Sequence, residues 1–169
     1  MNLPPQAPSS GRAPLWATLV ATFFGAGRLK PGPGTWGSLA TTILWALASL
    51  RIPLASRTWA TIVAAGAVTL IGIPAATRVA RASRLKDPQF VVIDEVAGQL
   101  VSLIAVPLAW KTFLASFILF RVFDMWKPFP IRRLEGLPEG TGIVVDDLGA
   151  GLYALTIMHL LLYFGALSK

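Results

Sequence analysis

Uncharged, largely apolar runs alternate with short charged stretches along the chain. The runs extend from Ala13 to Gly27, Pro31 to Leu50, Thr58 to Thr77, Val96 to Trp110, Thr112 to Phe120 and Leu148 to Ser168. The second, third and last approach the ~20 residues that a helix needs to cross the hydrocarbon of a bilayer. The second opens on a Pro/Gly loop, which shortens its helical part. Pro107 and Lys111 divide Val96 to Phe120 into two shorter helices, because proline disfavours helix continuation and lysine is costly at a bilayer centre. The first run, with Trp16, Phe23 and Phe24, is short for a span and equally suits the membrane interface. The pattern predicts an all-α bundle, an integral membrane protein built from short and full-length apolar helices.

Composition narrows the chemistry. The chain is 54% hydrophobic and 14% charged, with a mean hydropathy of +0.64. Residues 1–14 hold four prolines with Ser9, Ser10 and Gly11, which reads as a disordered leader followed by a single domain over 15–169. The apolar run after it ends at Arg28 and Lys30 without a small-residue cleavage pattern, so it does not read as a signal peptide. With no cysteine, a disulfide, a thiolate metal site, an iron–sulfur cluster and a cysteine nucleophile are all excluded. The single histidine, His159, excludes a two-histidine phosphotransfer mechanism within one chain; deep in the last apolar run, it reads as a packing residue.

The net charge of +7 changes the picture through its distribution. A nucleic-acid binder gathers its bases on a patch or helix face, whereas here they collect in loops, so no nucleic-acid partner is expected. If the chain changes sides after each apolar helix, ten of the fifteen Lys/Arg fall on the side of Arg28 and Lys30, and four on the other, with Arg12 unassigned. The positive-inside rule makes the base-rich side cytoplasmic.

The acids fall on that same side. Six of the eight form three clusters: Asp87 with Asp94 and Glu95, then Asp124, then Asp146 and Asp147; Glu135 and Glu139 lie outside them. Ionised carboxylates at the ends of apolar segments must be solvated, paired or bound to a cation. One shared cytoplasmic-face site, built on a divalent metal, accounts for their convergence.

Four motifs carry this site. In Pro31-Gly32-Pro33-Gly34-Thr35-Trp36-Gly37-Ser38 the glycines permit close backbone approach and a helix start offers N–H groups to phosphate, while Thr35 or Ser38 is equally suited to capping. Asp87-Pro88 has the form of a helix start, with Asp94 and Gly98 on one face and room beside Asp94 for a metal or another helix. Asp124 stands three residues from both Arg121 and Lys127, before Pro128 and Pro130 end the helix. Asp146-Asp147 leads into the last apolar helix, where the macrodipole accounts for one acid and not for two. Hard oxygen ligands in this number point to Mg²⁺ or Mn²⁺, not zinc. Asp94, Glu95, Asp146 and Asp147 are the expected ligands, and Asp124 is a ligand or orients an attacking water. Arg121 and Lys127 are expected to bind phosphate, with Gly34 and Thr35 adding contacts. A covalent aspartyl-phosphate route stays open.

Taken together, these motifs resemble the phosphatidylglycerophosphatase A family. The matching residues are Pro33-Gly34-Thr35-Trp36-Gly37-Ser38, Asp87-Pro88 with Asp94-Glu95-Val96 and Gly98, Phe120-Arg121 with Phe123-Asp124 and Lys127-Pro128-Phe129-Pro130, and Gly142-Ile143 with Asp146-Asp147 and Ala150-Gly151. The resemblance implies an all-α fold and a Mg²⁺-dependent phosphatase. Its reaction would release inorganic phosphate from the phospholipid phosphatidylglycerophosphate at the cytoplasmic face of the bacterial inner membrane. The main rival is a non-catalytic membrane scaffold or small transporter, whose intramembrane acids would face a conduction path instead of meeting at one end.

Overall fold

Side-chain size, more than polarity, separates the inside of this molecule from its outside. The computed structural model describes residues 11–167, so the predicted leader falls mostly outside them. The elements are α1 (Leu15–Ala21), a 3₁₀ turn (Ala26–Arg28), α2 (Pro33–Ser49), α3 (Leu54–Ser83), α4 (Ile93–Ser102), α5 (Trp110–Trp126), α6 (Ile131–Leu134) and α7 (Glu139–Tyr163). The described residues contain no strand, so the chain is all-helical. α2 buries Gly34, Gly37, Ser38, Thr41, Thr42 and Ser49 and exposes Ile43, Leu44 and Leu47. α3 buries Thr61, Ala65, Gly72, Ala75 and Ala76, with Trp59, Val63, Leu70 and Ile71 outside.

Small residues inside let helix backbones approach closely, and large apolar residues outside match hydrocarbon. The buried hydroxyls turn back on their own helices: Ser38 donates to the Gly34 carbonyl at 2.9 Å, Thr41 to Gly37 at 2.8 Å and Thr42 to Ser38 at 2.8 Å. α3 and α7 are long and apolar enough to cross a membrane. α4 is different: every residue except Glu95 is buried, and it packs against α2, α3, α5 and α7. A network of Gln99, Ser102 and Ser116 ties it to α5 inside the bundle, the last two hydroxyls lying 2.8 Å apart.

The structure moves three of the predicted boundaries. Asp87-Pro88 does not start α4, which begins at Ile93 after Val92. The Val92 N–H donates to the Ala21 carbonyl of α1 at 2.8 Å, and this tertiary tie holds the segment out of the helix that Asp-Pro favours locally. α7 starts at Glu139, so Asp146 and Asp147 lie two turns inside it and not at its positive end. α2 is entered through Gly32 at φ 66°, with Pro33 in its first turn and no side-chain cap, so neither Thr35 nor Ser38 has the capping role. The expected break at Pro107 falls between α4 and α5, while Lys111 sits one residue into α5 beside the Trp110 ring.

Candidate metal centre

Three acids meet where α4 crosses α7. Asp94 and Glu95 occupy the first turn of α4, and Asp147 faces them from α7. One carboxylate oxygen of each lies within 4.8 Å of the others. Asp94 and Asp147 are only 8% and 3% exposed. Asp94 Oδ1, Glu95 Oε2 and Asp147 Oδ2 are buried without a hydrogen-bond partner. Buried carboxylate oxygens left unpaired are costly, and three carboxylates that each carry one and meet at one place fit a hard divalent cation. This cluster can hold a metal ion.

Burial pushes the Glu95 carboxyl up from 4.5 to about 7; the Asp94 hydrogen bond and Arg121 oppose that rise, while the Asp124 charge adds to it. Burial likewise raises Asp94, with the charges of Glu95 and Asp147 adding to the effect.

The bases stand on the flank of this cluster. Arg121 on α5 pairs with Asp124 one turn on, and its Nη1 lies 3.8 Å from Glu95 Oε1. Its Nε is buried and unpartnered. Lys127 ends α5 at φ 46°. Its Nζ binds Asp146 Oδ2 at 2.5 Å and Glu135 Oε1 at 2.7 Å. Burial pulls the ammonium pKa down, but the bonds to Asp146 and Glu135 outweigh it and leave the pKa raised. Asp146 thus belongs to Lys127 and stands outside the three-carboxylate group; its Oδ1 accepts the Asp147 N–H at 3.0 Å.

Glycines set these distances. A Cβ on Gly34 would lie 1.8 Å from Glu95 Oε1 and 3.1 Å from Arg121 Nη1, so the start of α2 forms the wall of the site. A Cβ on Gly98 would lie 2.5 Å from the Asp147 carbonyl oxygen, and one on Gly151 would lie 2.4 Å from the Gly98 carbonyl oxygen. The space beside Gly98 is therefore filled by another helix.

A cavity of about 420 Å³ opens over the cluster, lined by Gly34, Asp94, Glu95, Arg121, Asp124, Lys127, Asp146 and Asp147 among others. Thr35, exposed on the outer side of the same turn, does not line it. Three further residues belong to this neighbourhood. Asp87 and Gln89 sit on the rim, and Glu135, which lies outside the acidic clusters in sequence, holds Lys127. No periodicity links Glu135 to Lys127 across two prolines, so only the fold reveals the pair. Glu139 pairs with Arg81 at 2.7 Å. His159 lies elsewhere, its Nε2 3.1 Å from the Ile104 carbonyl oxygen.

A family model described as Phosphatidylglycerophosphatase A matches residues 19–162. The chain belongs to the phosphatidylglycerophosphatase A family. It is 38% identical over 148 residues to the Phosphatidylglycerophosphatase A of Haemophilus influenzae, covering 86% of this chain and 88% of that one. The Phosphatidylglycerophosphatase A of Escherichia coli K12 is 34% identical over 143 residues, 83% of this chain and 80% of its own. A Bacteroides thetaiotaomicron protein named as a putative phosphatidylinositol-3-phosphatase is 35% identical over 143 residues, 83% of this chain and 89% of its own. No solved structure matches the chain.

Proposed function

We propose that this chain is a Mg²⁺-dependent lipid phosphatase that hydrolyses the phosphomonoester of phosphatidylglycerophosphate to phosphatidylglycerol and inorganic phosphate. The observation that carries this reading is the meeting of three carboxylates, each with a buried unpartnered oxygen, beside Arg121 in one cavity. That cavity lies at the base-rich end of the bundle. The positive-inside rule orients this end to the cytoplasm, and the reaction belongs to phospholipid synthesis at the bacterial inner membrane. Acids gathered at one end do not line a path through the bundle, which disfavours the transporter alternative.

Asp94, Glu95 and Asp147 would hold Mg²⁺, which supplies Lewis-acid polarisation of the phosphoryl group and a more acidic water. Arg121 binds phosphoryl oxygens through a guanidinium that stays charged, and Asp124 fixes its orientation. Lys127, its proton held by Asp146 and Glu135, acts as a fixed positive charge and not as a proton donor. Water attacks phosphorus, the bond from phosphorus to the glycerol oxygen breaks, and that oxygen leaves with a proton as the alcohol of phosphatidylglycerol. The lipids in the relatives' names share one chemical feature. Phosphatidylglycerophosphate and phosphatidylinositol 3-phosphate each carry a phosphomonoester three carbons from the lipid's own phosphodiester.

The test is phosphate release from phosphatidylglycerophosphate by the purified protein in detergent. Activity abolished by EDTA and restored by Mg²⁺ is expected, and undiminished turnover by metal-stripped protein would overturn the metal assignment.

A further inference from the structure

The cavity over the acids continues past Pro33 and Gln89, which line both spaces, into a second hollow of about 430 Å³ bounded by Gly27, Arg28, Lys30 and Phe90. Arg28 and Lys30 are exposed, and their side chains form no ion pair or hydrogen bond within the described residues. They flank Leu29, which is exposed like Phe24, two residues before the 3₁₀ turn. Bases alternating with exposed apolar side chains suit the boundary where a phospholipid carries its phosphodiester.

The turn that presents these bases is seated on the site itself. A Cβ on Gly27 would lie 2.1 Å from the Phe90 carbonyl oxygen, so the 3₁₀ turn rests directly on the backbone beside Gln89. A further hollow, lined by Trp126, Lys127, Phe129, Arg132 and Arg133, has two of its three bases engaged. Lys127 holds Asp146 and Glu135 and Arg133 stacks 4.7 Å from the Phe129 ring, while Arg132 is exposed and forms no ion pair or hydrogen bond within the described residues.

We infer that Arg28 and Lys30, with the Gln89 amide, form a subsite for the phosphodiester of the lipid headgroup, the second phosphate three carbons from the one that is cleaved. This rests on the phosphatase reading above and adds the residues that select the substrate. The linkage between the two phosphorus atoms spans about 7 Å at ordinary bond lengths, a step into the adjoining hollow and not across the molecule. The diester keeps one negative charge throughout the working pH range, and a guanidinium, an ammonium and an amide N–H match it with charge-assisted and neutral hydrogen bonds. Phosphatidic acid, whose phosphomonoester sits directly on diacylglycerol, has no group for this subsite.

The experiment compares kcat/KM for phosphatidylglycerophosphate and phosphatidic acid in the same nonionic detergent micelles, for the wild type, Arg28→Gln/Lys30→Gln and Arg132→Gln/Arg133→Gln. The first variant is expected to lower the ratio of the two kcat/KM values by about 10- to 100-fold, and the second to leave it within about threefold. Inhibition by phosphatidylglycerol, which carries the diester alone, gives an independent reading: its Ki should rise about tenfold in the first variant only. An unchanged ratio and Ki, or an equal effect of the second variant, would overturn the subsite while leaving the phosphatase intact. A wild type that cleaves neither lipid with Mg²⁺ would overturn the phosphatase reading, and the subsite with it.

Discussion

Lys127 Nζ and Asp146 Oδ2 lie 2.5 Å apart, joining the end of α5 to the third turn of α7. Without the lysine, Asp146 becomes one more uncompensated buried acid beside Asp147. Lys127→Ala should therefore lose about 100-fold or more in kcat while the protein still inserts and folds. Phosphate-release kinetics beside a thermal melt in detergent check this; near-normal turnover would mean that the pair is only structural.

Glu135 shares the same ammonium from an exposed position, its side chain 44% accessible. Solvent weakens such a pair to about 0–1 kcal/mol. Glu135→Gln should cost no more than about fivefold in rate, and Glu139→Gln, whose partner Arg81 is remote from the cavity, should be silent. A loss at Glu135 as large as that at Lys127 would place the glutamate in the chemistry itself.

Asp94 and Asp147 reach the same cluster from different helices. Asp94→Asn and Asp147→Asn should each cost at least ~100-fold in rate, and the double variant should be little worse than the poorer single, because residues that act as a unit are not additive. Strictly additive losses would show that the two acids serve separate sites.

The Glu95 carboxyl, raised to about 7, sets a pH dependence of definite sign. Its folded-state pKa lies above the unfolded value, so the destabilisation from ionising it is fully present above about pH 7 and fades as pH falls toward 4.5. Metal-free protein should therefore melt at a higher temperature at pH 5.5 than at pH 8. Cation binding must displace this proton, so apparent Mg²⁺ affinity should fall by up to about tenfold per pH unit below 7. Isothermal titration across pH 5.5–8 would refute this with a flat affinity.

Gly34 sets the wall beside Glu95. Gly34→Ala, whose Cβ would fall 1.8 Å from Glu95 Oε1, should keep the fold and cost about 10- to 100-fold in kcat by displacing that carboxylate. Gly66 on α3 has nothing within 4 Å of such a Cβ, so Gly66→Ala should leave activity alone and raise stability by roughly 0.5–1 kcal/mol. Equal behaviour of the two substitutions would show that the contact with Glu95 is not what Gly34 is for.

The order of the longer helices was legible in the sequence because charge interrupts apolar runs and Pro107 divides the fourth region, whereas the short α6 carries no apolar run and was not. The shared end of the acidic clusters followed from tracing the chain from side to side. What stayed hidden depends on contacts remote in sequence. The Val92–Ala21 bond delays α4, and Glu135 reaches Lys127 only after α5 has ended in a left-handed residue. Asp146 and Asp147 look alike in sequence, yet one holds a lysine and the other faces the acids of α4. The inner face of α2 was hidden for another reason: a hydropathy pattern reads serine and threonine as outward, whereas in this bundle their hydroxyls are satisfied within the helix and point in.

The meeting of Gly98 and Gly151 has a consequence for ion choice. Where two helix backbones touch with no side chain between them, the gap between their acids is a fixed gauge, and the bore of the site follows from the crossing and not from flexible ligands. Magnesium binds oxygen at about 2.0–2.1 Å and calcium at about 2.3–2.6 Å, so a rigid crossing discriminates by ionic radius. In the proposed Mg²⁺ site, a single methyl group at position 98 or 151 should prise the gauge open and shift preference from the smaller ion toward the larger, read as the ratio of Mg²⁺ to Ca²⁺ affinity.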